Sequence, residues 1–307
     1  MSLTPMGALP ARFRRTRVLI LGCGDVGGRV ADLIKKRVRV VATTSNPGRI
    51  GELRAAGLTP ALVNLDQAHD LSRWSGWTQR VLHTIPPNAD GHLDERTRRA
   101  VRSLRLRGRV SQGVYVSTTG VYGDRQGAWV RESDALRATT PRAQRRVDAE
   151  AQWRAFIAPW TIIRAPGIYA LDREGGNPLE RLNRGTPVSA EADDVYTNRI
   201  HSLDLARACV LALWSRVPYR AVHVCDQSSA KLGDYFVAVA EAAGLPPPQR
   251  ISLAQAKETL SPMALSFWRE SRRLRATRME QELKLRLKYP TVFHALAEKK
   301  PATSAGF

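Results

Sequence analysis

Near the N-terminus of this 307-residue chain, Gly22-Cys23-Gly24-Asp25-Val26-Gly27 carries the spacing G-x-G-x-x-G. It follows the β-branched and leucine run 16–21 and opens a stretch in which Val26, Val30, Leu33 and Ile34 recur at helical spacing. Between a strand and a helix, each glycine has a task. Gly22 permits the tight turn, Gly24 lets a pyrophosphate approach the backbone, and Gly27 lets the helix pack near the strand. The free N–H groups of the first helical turn, from Asp25 and Val26 onward, then face the phosphates. Cys23 reads as a small loop residue with no side-chain task.

The end of the second strand decides which dinucleotide fits. An NAD-selective site places Asp or Glu there to accept hydrogen bonds from the ribose hydroxyls. This chain reads Ala42-Thr43-Thr44-Ser45-Asn46-Pro47-Gly48-Arg49. Thr44 and Ser45 can donate to a 2′-phosphate and Arg49 can pair with it, so NADP is expected over the alternative, NAD. Arg49 also reads as a surface residue on the first turn of the next helix. Asp66, after the third strand, suits either an acceptor for the adenine amino group or a helix N-cap. His83, Thr84 and Pro86, at the end of the fourth strand, are expected to line the same crevice.

The elements that must position these residues alternate. Strands are expected at 16–21, 38–43, 59–64, 80–84, 113–117 and 160–164, with helices at 26–36, 50–56, 94–107 and 142–155 between them. That order predicts an α/β Rossmann fold, a doubly wound parallel sheet. Beyond residue 175 the alternation weakens. Helices are expected at 203–214 and 232–244 and a strand at 221–225, and after Pro246 to Pro248 an Arg-rich helical tail. The expected organisation is a flexible basic leader at 1–15 and a nucleotide-binding domain at 16–174 that also receives strands from about 197–226. A smaller C-terminal α+β substrate lobe follows at 175–307, frayed from about 299.

Hydrophobic residues at 43% and charged residues at 25% exclude a largely disordered chain. No apolar run reaches the roughly 18 residues of a membrane span, so a cytoplasmic protein without a membrane partner is expected. Cys23, Cys209 and Cys225 are too few and too widely spaced for a disulfide framework or a zinc motif. The net charge of +20 is the outlier, with basic residues spread over several segments. It reads as solvated arginine-rich faces or as a surface that attracts nucleic acid nonspecifically.

Three further segments carry a resemblance. Ser117-Thr118-Thr119-Gly120-Val121-Tyr122-Gly123, Arg164-Ala165-Pro166-Gly167-Ile168-Tyr169 and Asn198-Arg199-Ile200-His201-Ser202-Leu203-Asp204-Leu205-Ala206 follow the glycine loop in order. Together they resemble the extended branch of the short-chain dehydrogenase/reductase superfamily, that of the nucleotide-sugar epimerases and dehydratases. The resemblance implies a cofactor crevice that includes Ser117, Pro166 and Ile168, and an active-site hydroxyl at the fifth strand, with Thr118 orienting the substrate. It also implies a Tyr-x-x-x-Lys pair on the following helix, the tyrosine exchanging a proton with the substrate and the lysine lowering its pKa while holding the ribose. Laid on residues 141–150, that pattern puts Arg142 at the tyrosine and Arg146 at the lysine. Arg146 can clasp the ribose, but an arginine stays protonated and cannot replace a phenol as an acid/base group.

This departure resembles the atypical subgroup that lacks the tyrosine. Tyr122 or Tyr169 could supply a phenol from elsewhere, although Tyr122 reads better as an aromatic lid on the nicotinamide pocket. Thr118 reads equally as a hydroxyl capping the strand end, and His201 as a satisfied histidine at the lobe interface. Two functions follow. One is an oxidoreductase-like or epimerase-like protein, monomer or homodimer, that binds NADP and a small molecule between its lobes. The other is a catalytically silent NADP-responsive regulatory or nucleic-acid-associated protein.

The charge yields a first prediction. If the +20 is a solvated surface, binding to unrelated DNA and RNA oligonucleotides is indiscriminate and falls steeply as salt rises, as counterion release requires. Filter binding at several salt concentrations checks this, and sequence preference persisting near physiological salt contradicts it.

Overall fold

A computed structural model describes residues 15–67, 71–106, 109–156 and 158–299. The expected leader and frayed tail therefore lie outside the described residues apart from Arg15 and Lys299. Seven strands, β1 (Arg17–Leu21), β2 (Arg39–Thr44), β3 (Thr59–Leu62), β4 (Arg80–His83), β5 (Gln112–Thr118), β6 (Trp160–Ala165) and β7 (Arg220–His223), form one sheet. Its order is β7-β6-β5-β4-β1-β2-β3, and every pairing is parallel. This is the doubly wound Rossmann arrangement. The strand order reverses beside β1, and at such a switch point a crevice opens at the carboxyl ends of the strands.

All but the edge strand β3 are largely buried on both faces, which explains their near-continuous apolar runs. Val18 and Ile20 enter the cluster under α1 (Asp25–Ile34) and α4 (Ser202–Leu213). Leu19 and Leu21 enter the opposite cluster, under α2 (Glu95–Arg105) and α3 (Pro141–Arg154). Val26, Val30, Ala31 and Ile34 of α1 are buried, one stripe of the helix against the sheet. Side-chain caps set the starts of α2, α3 and α4. Asp94 accepts from the Thr97 N–H at 3.1 Å, Thr140 from Ala143 at 3.3 Å, and the His201 ring from Leu203 at 3.2 Å. The last agrees with the reading of His201 as satisfied; its ring also lies 3.8 Å from that of Tyr289.

A third apolar cluster gathers Tyr169, Val188, Trp268 and Val292 with Tyr235, Phe236 and Val239 of α5 (Leu232–Ala243). The expected Arg-rich helical tail is corrected here. Residues 269–288 contain a two-residue strand, Arg273–Leu274, and a five-residue helix, Thr277–Gln281. The arginines serve as tethers: Arg272 donates to the Gly123 carbonyl at 2.8 Å, Arg273 to Gly127 at 2.7 Å and Arg278 to Ala221 at 2.9 Å. Bonds to backbone carbonyls far away in the chain hold this segment, and it lacks a helical stripe of apolar residues.

At Gly113 on β5 the sheet and α3 approach closely, since a Cβ there would lie 2.2 Å from the Trp153 ring. Trp153 is fully buried and has no room to yield. Gly113→Ala is therefore expected to cost about 1–3 kcal/mol by overpacking, read as a lowered denaturation midpoint.

Candidate functional site

The crevice at the carboxyl ends of the strands has a volume of about 660 Å³. Gly22 adopts φ +89°, and its N–H donates to the Thr43 hydroxyl at 2.9 Å. A Cβ on Gly27 would stand 2.5 Å from the Gly22 carbonyl oxygen, whereas Gly24 has nothing within 4 Å of the corresponding position. Gly22 and Gly27 thus stand where a side chain would clash, while the space above Gly24 is open. Gly24 is also the N-cap of α1 and caps no amide with a side chain, so the first-turn N–H groups beside Asp25 and Val26 remain available to an anion. The donor set and the open space above Gly24 fit a dinucleotide pyrophosphate.

The crevice runs across the sheet edge. At the β2 end Thr44 and Ser45 line it with Arg49, whose guanidinium donates to the Cys23 carbonyl at 2.6 Å and pairs with Glu52 at 3.1 Å. Arg49 thus sits on the turn before a short helix, as its surface reading has it, and still reaches the glycine loop. Asp66 lines the crevice in a two-bond pair with Arg96, at 2.6 and 2.5 Å, and that pairing holds its carboxyl below the usual carboxylate range. In the middle, the Thr84 hydroxyl donates to the Gly22 carbonyl at 2.5 Å, and Pro86 follows on the rim. Asp172 pairs with Arg29 at 2.7 Å and Arg173 pairs with Asp25, so two opposed ion pairs latch this segment onto the start of α1.

At the far end stand Ser117, Thr118, Arg142, Arg146, Pro166 and Ile168. Thr118 accepts from the Gly120 N–H at 3.3 Å and so caps the strand end. Ser117 donates to Glu150 at 2.7 Å. Arg146 donates to the Tyr115 hydroxyl at 3.0 Å and the Val116 carbonyl at 2.9 Å. Arg142 is exposed and, among the described residues, has no hydrogen-bond or ion-pair partner.

Three expected residues lie elsewhere. Tyr122 is fully buried. Its hydroxyl meets the His223 ring at 2.6 Å and receives Arg164 at 2.5 Å, so it is neither a lid nor a phenol in the crevice. Because the other His223 nitrogen faces the Arg275 carbonyl, which can only accept, the tyrosine donates to the ring. Tyr169 belongs to the third apolar cluster. His83 points into the opposite core layer, where Trp153 donates to it at 3.1 Å; strand alternation turns it away from the crevice. Sequence reasoning missed Arg96 and Arg173. Arg96 looked like one more charge on a polar helix, and Arg173 sits 148 residues from Asp25, with no local signal linking them.

Solved structures share this fold. A functionally unknown conserved protein from Silicibacter pomeroyi is 29% identical, with 92% of this chain and 96% of that one covered and a TM-score of 0.76. A UDP-glucuronic acid 4-epimerase from Bacillus cereus, solved with NAD, matches at 15% identity over 91% and 95% of the two chains, TM-score 0.70. A human epimerase family protein solved with NADPH matches at 15% over 92% and 98%, TM-score 0.73. No family model and no curated protein matches the sequence. The chain has the fold of these epimerase structures, a parallel Rossmann sheet of seven strands with helices on both faces.

Two histidines buried in the core, His83 and His223, set a pH dependence. Burial, reinforced by Arg146, pushes His83 down to about 3, and burial pushes His223 down to about 4. Unfolded, both titrate near 6.5, so on acidification the unfolded chain takes up protons that the folded chain excludes. Their contribution is present above pH 6.5 and is lost as pH falls toward 4 and 3. Asp226, pushed up to about 6 by burial, opposes this over part of the range. Folding free energy should fall between pH 6.5 and 4.5, and His83→Gln should flatten that slope by about 1.4 kcal/mol per pH unit, measured by denaturant titration. An unchanged slope in the variant would refute the assignment.

Proposed function

We propose that this chain is an atypical extended short-chain dehydrogenase/reductase that binds NADP in preference to NAD. In this reading it acts as a cytoplasmic oxidoreductase-like or epimerase-like protein on a small metabolite held between the sheet edge and a substrate lobe formed mostly by residues 175–307. The observation that carries the reading is the uncapped start of α1 facing an unobstructed Gly24, with Thr44, Ser45 and Arg49 along the β2 end of the same crevice. Glu52 is the carboxylate nearest Arg49, but it is exposed and on the solvent side, where its hold is weak.

In this arrangement the α1 amides receive the pyrophosphate, Arg49 and the β2 hydroxyls receive the 2′-phosphate, and Arg146 stands at the nicotinamide end. The dinucleotide, when bound, supplies or accepts hydride. Arg146 is already fixed by Tyr115 and Val116, so it offers a positioned charge with little side-chain entropy left to lose.

A second reading, an NADP-responsive binding protein without turnover, is favoured by one observation. Among the described residues lining the crevice there is no tyrosine, histidine, lysine or glutamate; Asp25 and Asp66 are ion-paired, and burial pushes the Cys23 thiol up to about 11. General acid catalysis is worth roughly 10²- to 10⁴-fold, so turnover without such a group is slow or nil.

Fluorescence titration tests the cofactor assignment. NADPH should bind tighter than NADH, and Arg49→Ala should reduce that preference about tenfold or more, the value of a charge-assisted phosphate contact. Equal affinities with and without Arg49 would refute it. Consumption of NADPH with a panel of carbonyl compounds separates the two readings.

A further inference from the structure

We infer that the far end of the crevice takes an oxyanionic small molecule, a carboxylate or a phosphate monoester, held by the guanidinium of Arg142. The inference deepens the proposed function, because it places this anion beyond a cofactor seated on the glycine loop.

Among the described residues, five arginines line the crevice, and four are engaged. Arg49 is shared by Glu52 and the Cys23 carbonyl, Arg96 is taken by Asp66, Arg173 by Asp25, and Arg146 by Tyr115 and Val116. Arg142 alone among them has no partner. Both lining carboxylates, Asp25 and Asp66, are committed to other arginines. The surroundings of Arg142 are uniformly positive. It stands in the first turn of α3, which contains no acidic residue, and the unpaired amides of a helix start carry positive partial charge. Arg146 follows one helical turn later on the same side, and Arg145 is buried nearby, donating to the Gly91 carbonyl at 2.6 Å. Cations at a helix N-terminus are electrostatically disfavoured, and unlike Arg145 and Arg146, which hold carbonyls of the protein, Arg142 has no tethering bond among the described residues to offset that. An oxyanion supplies the missing partner: the planar fork of Arg142 matches a carboxylate or phosphate edge, and the helix start and Arg146 add to the attraction. A neutral ligand would leave these charges uncompensated. The same residues that lack a proton donor thus form a receptor for negative charge, next to where hydride would be exchanged.

Calorimetric titration of the full-length, NADPH-saturated protein at constant physiological ionic strength tests this, with oxalate as the carboxylate probe and inorganic phosphate as the other. Saturating cofactor keeps the probes off the glycine loop and Arg49. One probe should bind, the tighter one naming the class, and Arg142→Ala should weaken it at least tenfold. Arg216→Ala, an exposed charge outside the crevice, should change it less than twofold. Binding by neither probe, an unchanged affinity in Arg142→Ala, or an equal loss in Arg216→Ala overturns the inference. NADPH titration of each variant reports whether the fold survives, and Arg142→Gln carries the test if Arg142→Ala does not. Should the unmodified protein fail to bind NADPH, the cofactor reading falls by itself. The same probes on the cofactor-free protein then still decide whether anion binding depends on Arg142.

Discussion

The buried ion pair between Glu150 and Arg164 determines where the far end of the crevice lies. Glu150 projects from α3 and Arg164 from β6; they meet through two hydrogen bonds, at 3.0 and 2.7 Å, and both side chains are about 2% exposed or less. The pair is a hub. Ser117 on β5 donates to Glu150, and Arg164 continues to the Tyr122 hydroxyl and the Glu132 carbonyl. A buried ion pair is a weak source of net stability, but removing one partner leaves an uncompensated charge at a cost of about 3–5 kcal/mol. The helix that bears Arg142 and Arg146 is thereby locked in position against the strands that end beneath them. Tyr122 is absorbed by the same demand: a buried guanidinium needs acceptors, and its hydroxyl is one of them.

The other end of the crevice rests on backbone approach. Gly27 lies so close to Gly22 that no side chain fits, and the Thr43 and Thr84 hydroxyls bind the Gly22 backbone from either side of β1. The loop is held by its neighbours and leaves its outward amides unspent. A rigid loop loses little entropy on receiving a phosphate, which suits preorganised anion binding. The Arg29–Asp172 and Arg173–Asp25 pairs extend this frame to the segment after β6, so that the latch, the loop and α1 form one connected rim.

Much of this was readable in the sequence because it depends on local signals. Glycine spacing, apolar runs and helical periodicity located the loop, the strands and most helix starts to within a residue or two. What escaped depends on direction or distance. Strand alternation sent His83 into the core, although its place in the chain sits at the crevice. Tyr122 was claimed by a partner 101 residues away, and three arginines after residue 269 by backbone carbonyls over 50 residues distant. Arginine is the hard residue to read here. Its long stem and five donors let it tether a loop, pair with an acid or face a ligand, and only three-dimensional accounting of partners separates those uses.

That accounting changes the meaning of the Arg142 substitution. Read against a Tyr-x-x-x-Lys pair, arginine at both positions is a loss, since no group remains to exchange a proton. Read through the structure, the two arginines differ: Arg146 is spent on fixing the end of β5, while Arg142 is left free in a positive field. Exchanging a phenol for a guanidinium replaces a group that works by changing its protonation with one that works by keeping its charge. A site altered in this way can still select and orient a ligand beside a dinucleotide. Any reaction it supports must obtain its proton from the ligand or from water, so the chemistry depends on what the bound anion carries.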